Sequence, residues 1–224
     1  MQKTHNRKSP PPEIGEVQIT LNQKLKKLPR SFYLRPTLTV AIDLLGKHLV
    51  RQHQGILLVG RIVETEAYRG SQDPASHAYR GRTMRNEVMF WEGGHLYVYF
   101  TYGMHFCANI VTGEAGTGEA VLIRAVEPLQ GIEMMEVNRK AKFPKKGSTS
   151  SPHVGLTNGP AKLCEALSIR GEQNGTDLLG DEIYLSDARA LPRSSVGRST
   201  RIGIVNGKEM KWRFYIKGND WVSR

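Results

Sequence analysis

The period of the apolar residues changes several times along this chain, and each change marks an element. Over residues 39–50, Val40, Leu44, Leu45 and Leu49 recur at helical spacing, which predicts a short helix with Gly46 as a candidate end. Over residues 56–68 the pattern becomes that of a strand, with Ile56, Leu58, Ile62 and Val63 among its apolar positions and Gly60 as punctuation. Residues 95–100 are aromatic and β-branched, and residues 120–126 form an apolar run bounded by glycines, so both read as strands. The small, glycine-rich stretch 113–118 predicts a turn joining two antiparallel strands. Residues 128–140, with Leu129, Ile132 and Met135, read as helical, and residues 143–154 as a polar loop of Lys, Ser, Gly and Pro. A further helix opens at Pro160, where a missing N–H costs little. Alternation returns after Ile202, through Phe214, Tyr215 and Ile216 to Trp221 and Val222. No internal repeat interrupts this order, which predicts a single α+β domain.

Charge narrows the picture. The 224 residues carry 32 Lys and Arg against 21 Asp and Glu, a formal charge of +11 that attracts a polyanion such as nucleic acid or an anionic surface. A membrane fits poorly. The first residues, with Lys3 and Arg7, contain no apolar core of a leader, and the longest apolar stretch, 96–111, is broken by Thr101, Gly103, His105 and Asn109. A soluble, intracellular protein is the expectation. Residues 1–29, with Lys3, Arg7, Lys8, a Pro10-Pro11-Pro12 run and then Lys24, Lys26 and Lys27, read as a basic, flexible arm ahead of a domain at 30–224. The two cysteines, Cys107 and Cys164, lie in core-like segments and are expected to be buried thiols without a chemical role; no zinc-type Cys/His spacing occurs.

Four segments carry residues suited to chemistry. Glu64 and Glu66 stand two apart on the first long strand, which puts both on one face, roughly 6 to 7 Å apart by strand rise. Paired carboxylates serve glycosidic-bond chemistry, and one carboxylate that activates water suffices when the leaving group is good. The second segment, 96–106, is aromatic at Tyr97, Tyr99, Phe100, Tyr102 and Phe106; Tyr97 and Tyr99 share a face, and Tyr102 beside Gly103 is placed to protrude from a turn. In a basic protein such a ring suits wedging between base pairs. In the third, Arg80, Arg82 and Arg85 cluster in a loop suited to phosphates or to plain solvent exposure. In the fourth, Arg124 interrupts an apolar strand and requires a partner, either Glu66 or a phosphate.

Taken in order, these pieces resemble the 3-methyladenine DNA glycosylase family, the alkyladenine glycosylases. The matching segments are 61–68 (Arg-Ile-Val-Glu-Thr-Glu-Ala-Tyr), Arg85-Asn86, 96–99, Tyr102-Gly103-Met104, Asn109-Ile110, 121–128, 159–164, Arg213-Phe214-Tyr215 and Trp221-Val222-Ser223. The resemblance runs from about Ser31 to the end. It implies a curved antiparallel sheet with a protruding β-hairpin and surrounding helices. It implies that Glu66 is the general base that deprotonates a water, with Arg124 helping to hold that water. Tyr68, His77 and Tyr99 would line a pocket and stack on a flipped base, and Asn109 would crowd the 2-amino group of normal guanine. Tyr102 would intercalate from the hairpin tip, and Arg82, Arg85 and Met104 would contact the DNA backbone. The implied activity is monofunctional hydrolysis of alkylated or deaminated purines (3-methyladenine, 7-methylguanine, hypoxanthine, ethenoadenine) in double-stranded DNA. It is expected without cofactor or metal, in a monomer, in the nucleoid or cytoplasm of a bacterium or the nucleus of a eukaryote. Two rivals remain at this level. One is a non-catalytic basic nucleic-acid-binding module of the same fold. The other is a carbohydrate hydrolase using Glu64 and Glu66, against which stand the charge and the presence of only Trp91, Trp212 and Trp221.

Overall fold

The computed structural model describes residues 25–140, 153 and 155–223. Residues 1–24 of the expected arm, and 143–152 and 154 of the expected polar loop, lie outside the described residues. Two short helices, α1 (Arg30–Tyr33) and α2 (Thr37–Asp43), precede the hairpin of β1 (His48–His53) and β2 (Ile56–Arg69). After a looped region come β3 (Leu96–Thr101), β4 (His105–Thr112) and β5 (Glu119–Gln130), and then α3 (Ile132–Arg139) and α4 (Pro160–Ala166). Three short strands follow: β6 (Ile183–Ser186), β7 (Val196–Ser199) and β8 (Arg213–Ile216). The strands form one antiparallel sheet in the order β3-β4-β5-β2-β1-β6, with β8 also paired to β2 and β7 paired to β8. This is the α+β domain with a curled antiparallel sheet and a projecting β3–β4 hairpin that the sequence implies. No described helix is long and apolar enough to cross a membrane.

The long strand β2 organises the rest. It is buried along most of its length, because α2 covers one face and the cavity described below lies on the other. Thr65 shows the division: its hydroxyl donates to the Ala41 carbonyl of α2 at 2.8 Å, while Glu64 and Glu66 on either side of it point the opposite way. The ladder between β2 and β5 slips three times, near Val59, Ile62 and Glu64, and passes over Val63 on one strand and Arg124 on the other. Such irregularities bend a strand and re-aim side chains. Here they curl the sheet and swing Arg124 onto the two glutamates. At Gly60 a Cβ would lie 2.6 Å from Val126 Cγ2, so the first of these slips requires glycine.

The boundaries of two predicted helices move. Residues 48–50, read as the end of a helix over 39–50, begin β1 instead. Gly46, at φ +85°, turns the chain, and Leu49 and Val50 are both buried because β1 is covered on both faces. A continuous apolar run of that length does not distinguish a buried strand from a helix. Likewise β5 continues through Pro128 to Gln130, and the helix read over 128–140 begins only after Gly131, at φ +74°. Pro128 is tolerated because it faces Gly60 at the slip in register. At the N-terminal edge, residues 25–29 lie along β6, where the Leu28 N–H donates to the Leu185 carbonyl at 2.9 Å and Leu28 is buried.

Candidate functional site

Two ionised carboxylates inside a fold require partners, and β2 provides them unequally. Glu64 and Glu66 are both fully buried, facing Arg124 on β5. Arg124 Nε lies 3.1 Å from Glu64 Oε1, and its Nη1 lies 3.3 Å from Glu66 Oε2. The partner that the sequence left open is therefore Glu66 together with Glu64. Glu64 then takes three more donors: Arg213 Nε at 2.6 Å, the Ser223 N–H at 2.7 Å and the Ser223 hydroxyl at 2.8 Å. That carboxylate is committed to fastening the C-terminal segment and does not line the cavity. A sugar-hydrolase reading that needs Glu64 as a second acid loses its residue here.

Glu66 is held more sparingly. The Tyr68 hydroxyl donates to Oε2 at 2.9 Å and the Ile202 N–H to Oε1 at 2.8 Å. Each carboxylate oxygen accepts two hydrogen bonds, so acceptor capacity remains. Burial pushes the Glu66 carboxyl above the usual carboxylate range. Arg124, the Ile202 N–H and Tyr68 pull the other way, and Glu64 adds to the rise. Glu66 does not itself line the cavity, but Tyr68, Arg124 and Ile202, its three contacts, all do.

That cavity, of about 410 Å³, is walled by aromatic residues. Tyr97 and Tyr99 lie along one face of β3 with ring centroids 5.5 Å apart and planes 29° apart. The His77 ring meets Tyr99 edge-on at 4.4 Å, and its Nδ1 is 3.0 Å from the Tyr97 hydroxyl. Burial, with Arg85 nearby, pushes the imidazole down, so it is uncharged at neutral pH. Burial raises the phenols, Tyr97 to about 12, and they stay neutral donors. Asn109 faces Tyr97 across the β3–β4 ladder and donates to its carbonyl at 3.1 Å. Cys107 pairs with Tyr99 across the same ladder and lines the cavity; it is buried and outside any disulfide, as is Cys164.

The loop that presents His77 is tied by Asn86. Its amide donates to the His77 carbonyl at 2.8 Å and to the Gly81 carbonyl at 3.0 Å, and its oxygen accepts the Thr83 N–H at 2.6 Å. Arg85 donates to the Phe100 carbonyl at 3.0 Å, and Arg82 pairs with Glu87 at 3.2 Å with its guanidinium 5.0 Å from the Phe90 ring. At the tip of the β3–β4 hairpin, Tyr102 and Gly103 both have positive φ, +50° and +68°. Tyr102 is 83% exposed and Met104 69%.

The structure thus gathers Tyr68, His77, Tyr99, Tyr102, Asn109 and Arg124 around one cavity with Glu66 directly behind its wall, whereas Arg82, Arg85 and Met104 lie outside the lining. Sequence reasoning missed the opposite lip, residues 202–206, and the buried pair behind it, Arg201 with Asp73. The only local signal was Asp73-Pro74, a turn dipeptide; nothing around Arg201 marks it as buried.

Comparison with known proteins identifies the family. The model of the methylpurine-DNA glycosylase (MPG) family matches residues 31–220. A protein of Carboxydothermus hydrogenoformans is 50% identical over 198 residues, covering 88% of this chain and 98% of its own length. One of Clostridium acetobutylicum is 49% identical over 201 residues (88% and 97%), and one of Desulfitobacterium hafniense 47% over 203 residues (89% and 99%). All three carry the name "Putative 3-methyladenine DNA glycosylase".

Proposed function

The chain belongs to the methylpurine-DNA glycosylase family and is a DNA repair glycosylase, and from this premise we propose how its cavity selects a base and releases it. A damaged purine leaves the duplex and enters between Tyr68, His77 and Tyr99, whose faces stack on any purine. Alkylated purines such as 3-methyladenine and 7-methylguanine bring a positive charge that aromatic walls attract. Deaminated or etheno purines, hypoxanthine and ethenoadenine, bring weakened pairing that makes extrusion cheaper. Asn109 crowds the 2-amino group of normal guanine. Tyr102 fills the gap left in the stack, and Arg82, Arg85 and Met104 meet the DNA backbone.

Glu66 is the general base. Its remaining acceptor capacity takes a water that Arg124 helps to orient, and the deprotonated water attacks the anomeric carbon as the base departs. Arg124 also keeps enough positive charge beside the carboxylate for it to ionise despite burial. Among the described residues no lysine lines the cavity, in keeping with hydrolysis rather than imine formation. The enzyme acts as a monomer on double-stranded DNA, and the basic residues ahead of the domain, Lys3, Arg7, Lys8 and Lys24, add non-specific attraction to it.

The observation that carries the mechanism is the set of three contacts on Glu66 (Arg124, Tyr68 and the Ile202 N–H), all from residues that line the aromatic cavity. The test is single-turnover release of free base from a duplex carrying one hypoxanthine or one ethenoadenine, parent beside Glu66→Gln. Release by the parent alone supports the assignment. Release by both moves the base elsewhere, and release by neither, from these or from methylated DNA, leaves the chain a binding module.

A further inference from the structure

Behind the cavity lies a charged pair that the mechanism above does not use. Arg201 and Asp73 have fully buried side chains, the guanidinium bridging both carboxylate oxygens, with Nη2 2.8 Å from Oδ1. Replacing a buried ion pair by apolar residues is often neutral or favourable for stability, so stability alone is a weak account of one. The remaining contacts of this pair point to the site. Arg201 Nη1 donates at 2.9 Å to the carbonyl of Ala67, the residue between Glu66 and Tyr68. The guanidinium stands 4.7 Å from the centre of the Tyr68 ring and 5.2 Å from that of Trp212. The very next peptide N–H after Arg201, that of Ile202, is the one bonded to Glu66 at 2.8 Å. Asp73 in turn accepts the Arg69 N–H at 3.2 Å and the Ala75 N–H at 3.0 Å, holding the turn that leads from β2 to Ala75 and His77 in the cavity wall.

We propose that the Arg201–Asp73 pair is a positioning device for the reaction: it fastens the 202–206 lip to the end of β2 and thereby keeps the Ile202 N–H on Glu66 and the Tyr68 ring against the cavity. Arg201 and Asp73 do not touch the reacting atoms. They act through Glu66 and Tyr68, so the inference rests on reading Glu66 as the base.

The consequence is electrostatic as well as geometric. Glu66 faces Glu64 and Tyr68 from β2, Arg124 from β5, Tyr99 from β3, Cys107 from β4 and Arg201 and the Ile202 N–H from the lip, while Arg213 on β8 is engaged with Glu64. Of these the Ile202 N–H and Arg201 are the ones the pair controls. When the lip loosens, the ionised carboxylate loses a hydrogen bond and a nearby cation, and its proton affinity rises further.

The experiment replaces both charges in the full chain, Arg201→Met with Asp73→Asn. Asparagine keeps an acceptor for the Ala75 N–H, and no charge is left buried alone. The first readout needs no substrate: the carbon-13 NMR titration of the Glu66 carboxyl, assigned by its disappearance in Glu66→Gln. The midpoint is expected to rise by about one pH unit relative to the parent, and single-turnover release of hypoxanthine at neutral pH to fall about tenfold. An unmoved midpoint in a variant that melts with the parent overturns the proposal and leaves the pair structural. A raised midpoint in an enzyme whose parent releases no base sinks the assigned chemistry but keeps the positioning of Glu66. Should the double variant not fold, Gly207→Ala takes its place, because φ there is +66° and a Cβ would lie 3.0 Å from Arg201 Nη2, so that the backbone beside the lip and the guanidinium must both give. A smaller rise of the same midpoint is expected, and none overturns the proposal.

Discussion

The floor of the cavity and its rim obey opposite packing rules. At the floor Arg124 reaches through to Glu64 and Glu66, which are sealed from solvent behind the wall, and each is bonded to side chains or backbone from distant parts of the chain. At the rim, Tyr102 and Val205 are large apolar side chains left open, 83% and 82% exposed. An exposed apolar group gains by being covered, whereas a buried charge loses by being moved. The difference separates two kinds of surface. The buried carboxylates are held in place by their donors, and the rim leaves apolar surface free to be covered. Within the floor the contrast repeats at closer range, since the two glutamates on one strand differ in how many donors they hold.

The largest effect should come from the floor. Glu66→Gln is expected to slow single-turnover release by about 10³-fold, the scale of losing a general base. The folded carboxyl takes its proton more readily than the unfolded one, so its contribution to stability is present at low pH and lost as pH rises through the raised value. At neutral pH the amide is therefore expected to melt no lower than the parent, and a large drop in Tm would show that the carboxylate is structural. By the same sign, release by the parent falls about tenfold per pH unit below that raised value, and a flat acid limb would remove Glu66 as the base.

Glu64→Gln should separate the two carboxylates. It leaves Arg124 and Arg213 short of a counter-charge, and urea unfolding is expected to show a loss of about 3 kcal/mol. A loss no larger than that of Glu66→Gln would erase the distinction drawn between them. At the rim, Tyr102→Ala is expected to shift the flipping equilibrium of ethenoadenine, read by its fluorescence, by about fivefold, the low end of one base–aromatic stacking contact. Its stability should stay within about 0.5 kcal/mol of the parent, as for other exposed sites. An unchanged equilibrium would leave the hairpin tip without a role in capture. The smallest effect is expected from Arg85→Ala, which should lower the log–log salt slope of duplex binding by about one. An unchanged slope would confine Arg85 to its bond with the Phe100 carbonyl.

How much of this was legible in advance depended on the range of the interaction. The strands at 56–68, 95–100 and 120–126 and the turn at 113–118 were readable because alternation and glycine chemistry act over a few residues. β6 and β7 were not, being four residues each and anchored by pairing with β1 and β8. Gly46, the candidate helix end, does turn the chain, but the helical readings of 47–50 beyond it and of 128–130 ahead of Gly131 failed because apolar positions continued across each turn into a strand.

By itself the sequence determined that β2 puts Glu64 and Glu66 on one face, that an arginine sits inside an apolar strand, that an aromatic ring stands beside a turn glycine, and that the charge suits a polyanion. These follow from spacing and composition. Only the tertiary structure decided what each charge touches. Glu64 meets Arg124 across 60 positions, Arg213 across 149 and Ser223 across 159, and Glu66 meets the Ile202 N–H across 136. Partners at that separation leave no local pattern, yet in a buried, weakly screening interior they set the proton affinity of a carboxylate. That is why the pair of glutamates was visible in the chain and the partners that distinguish them were not.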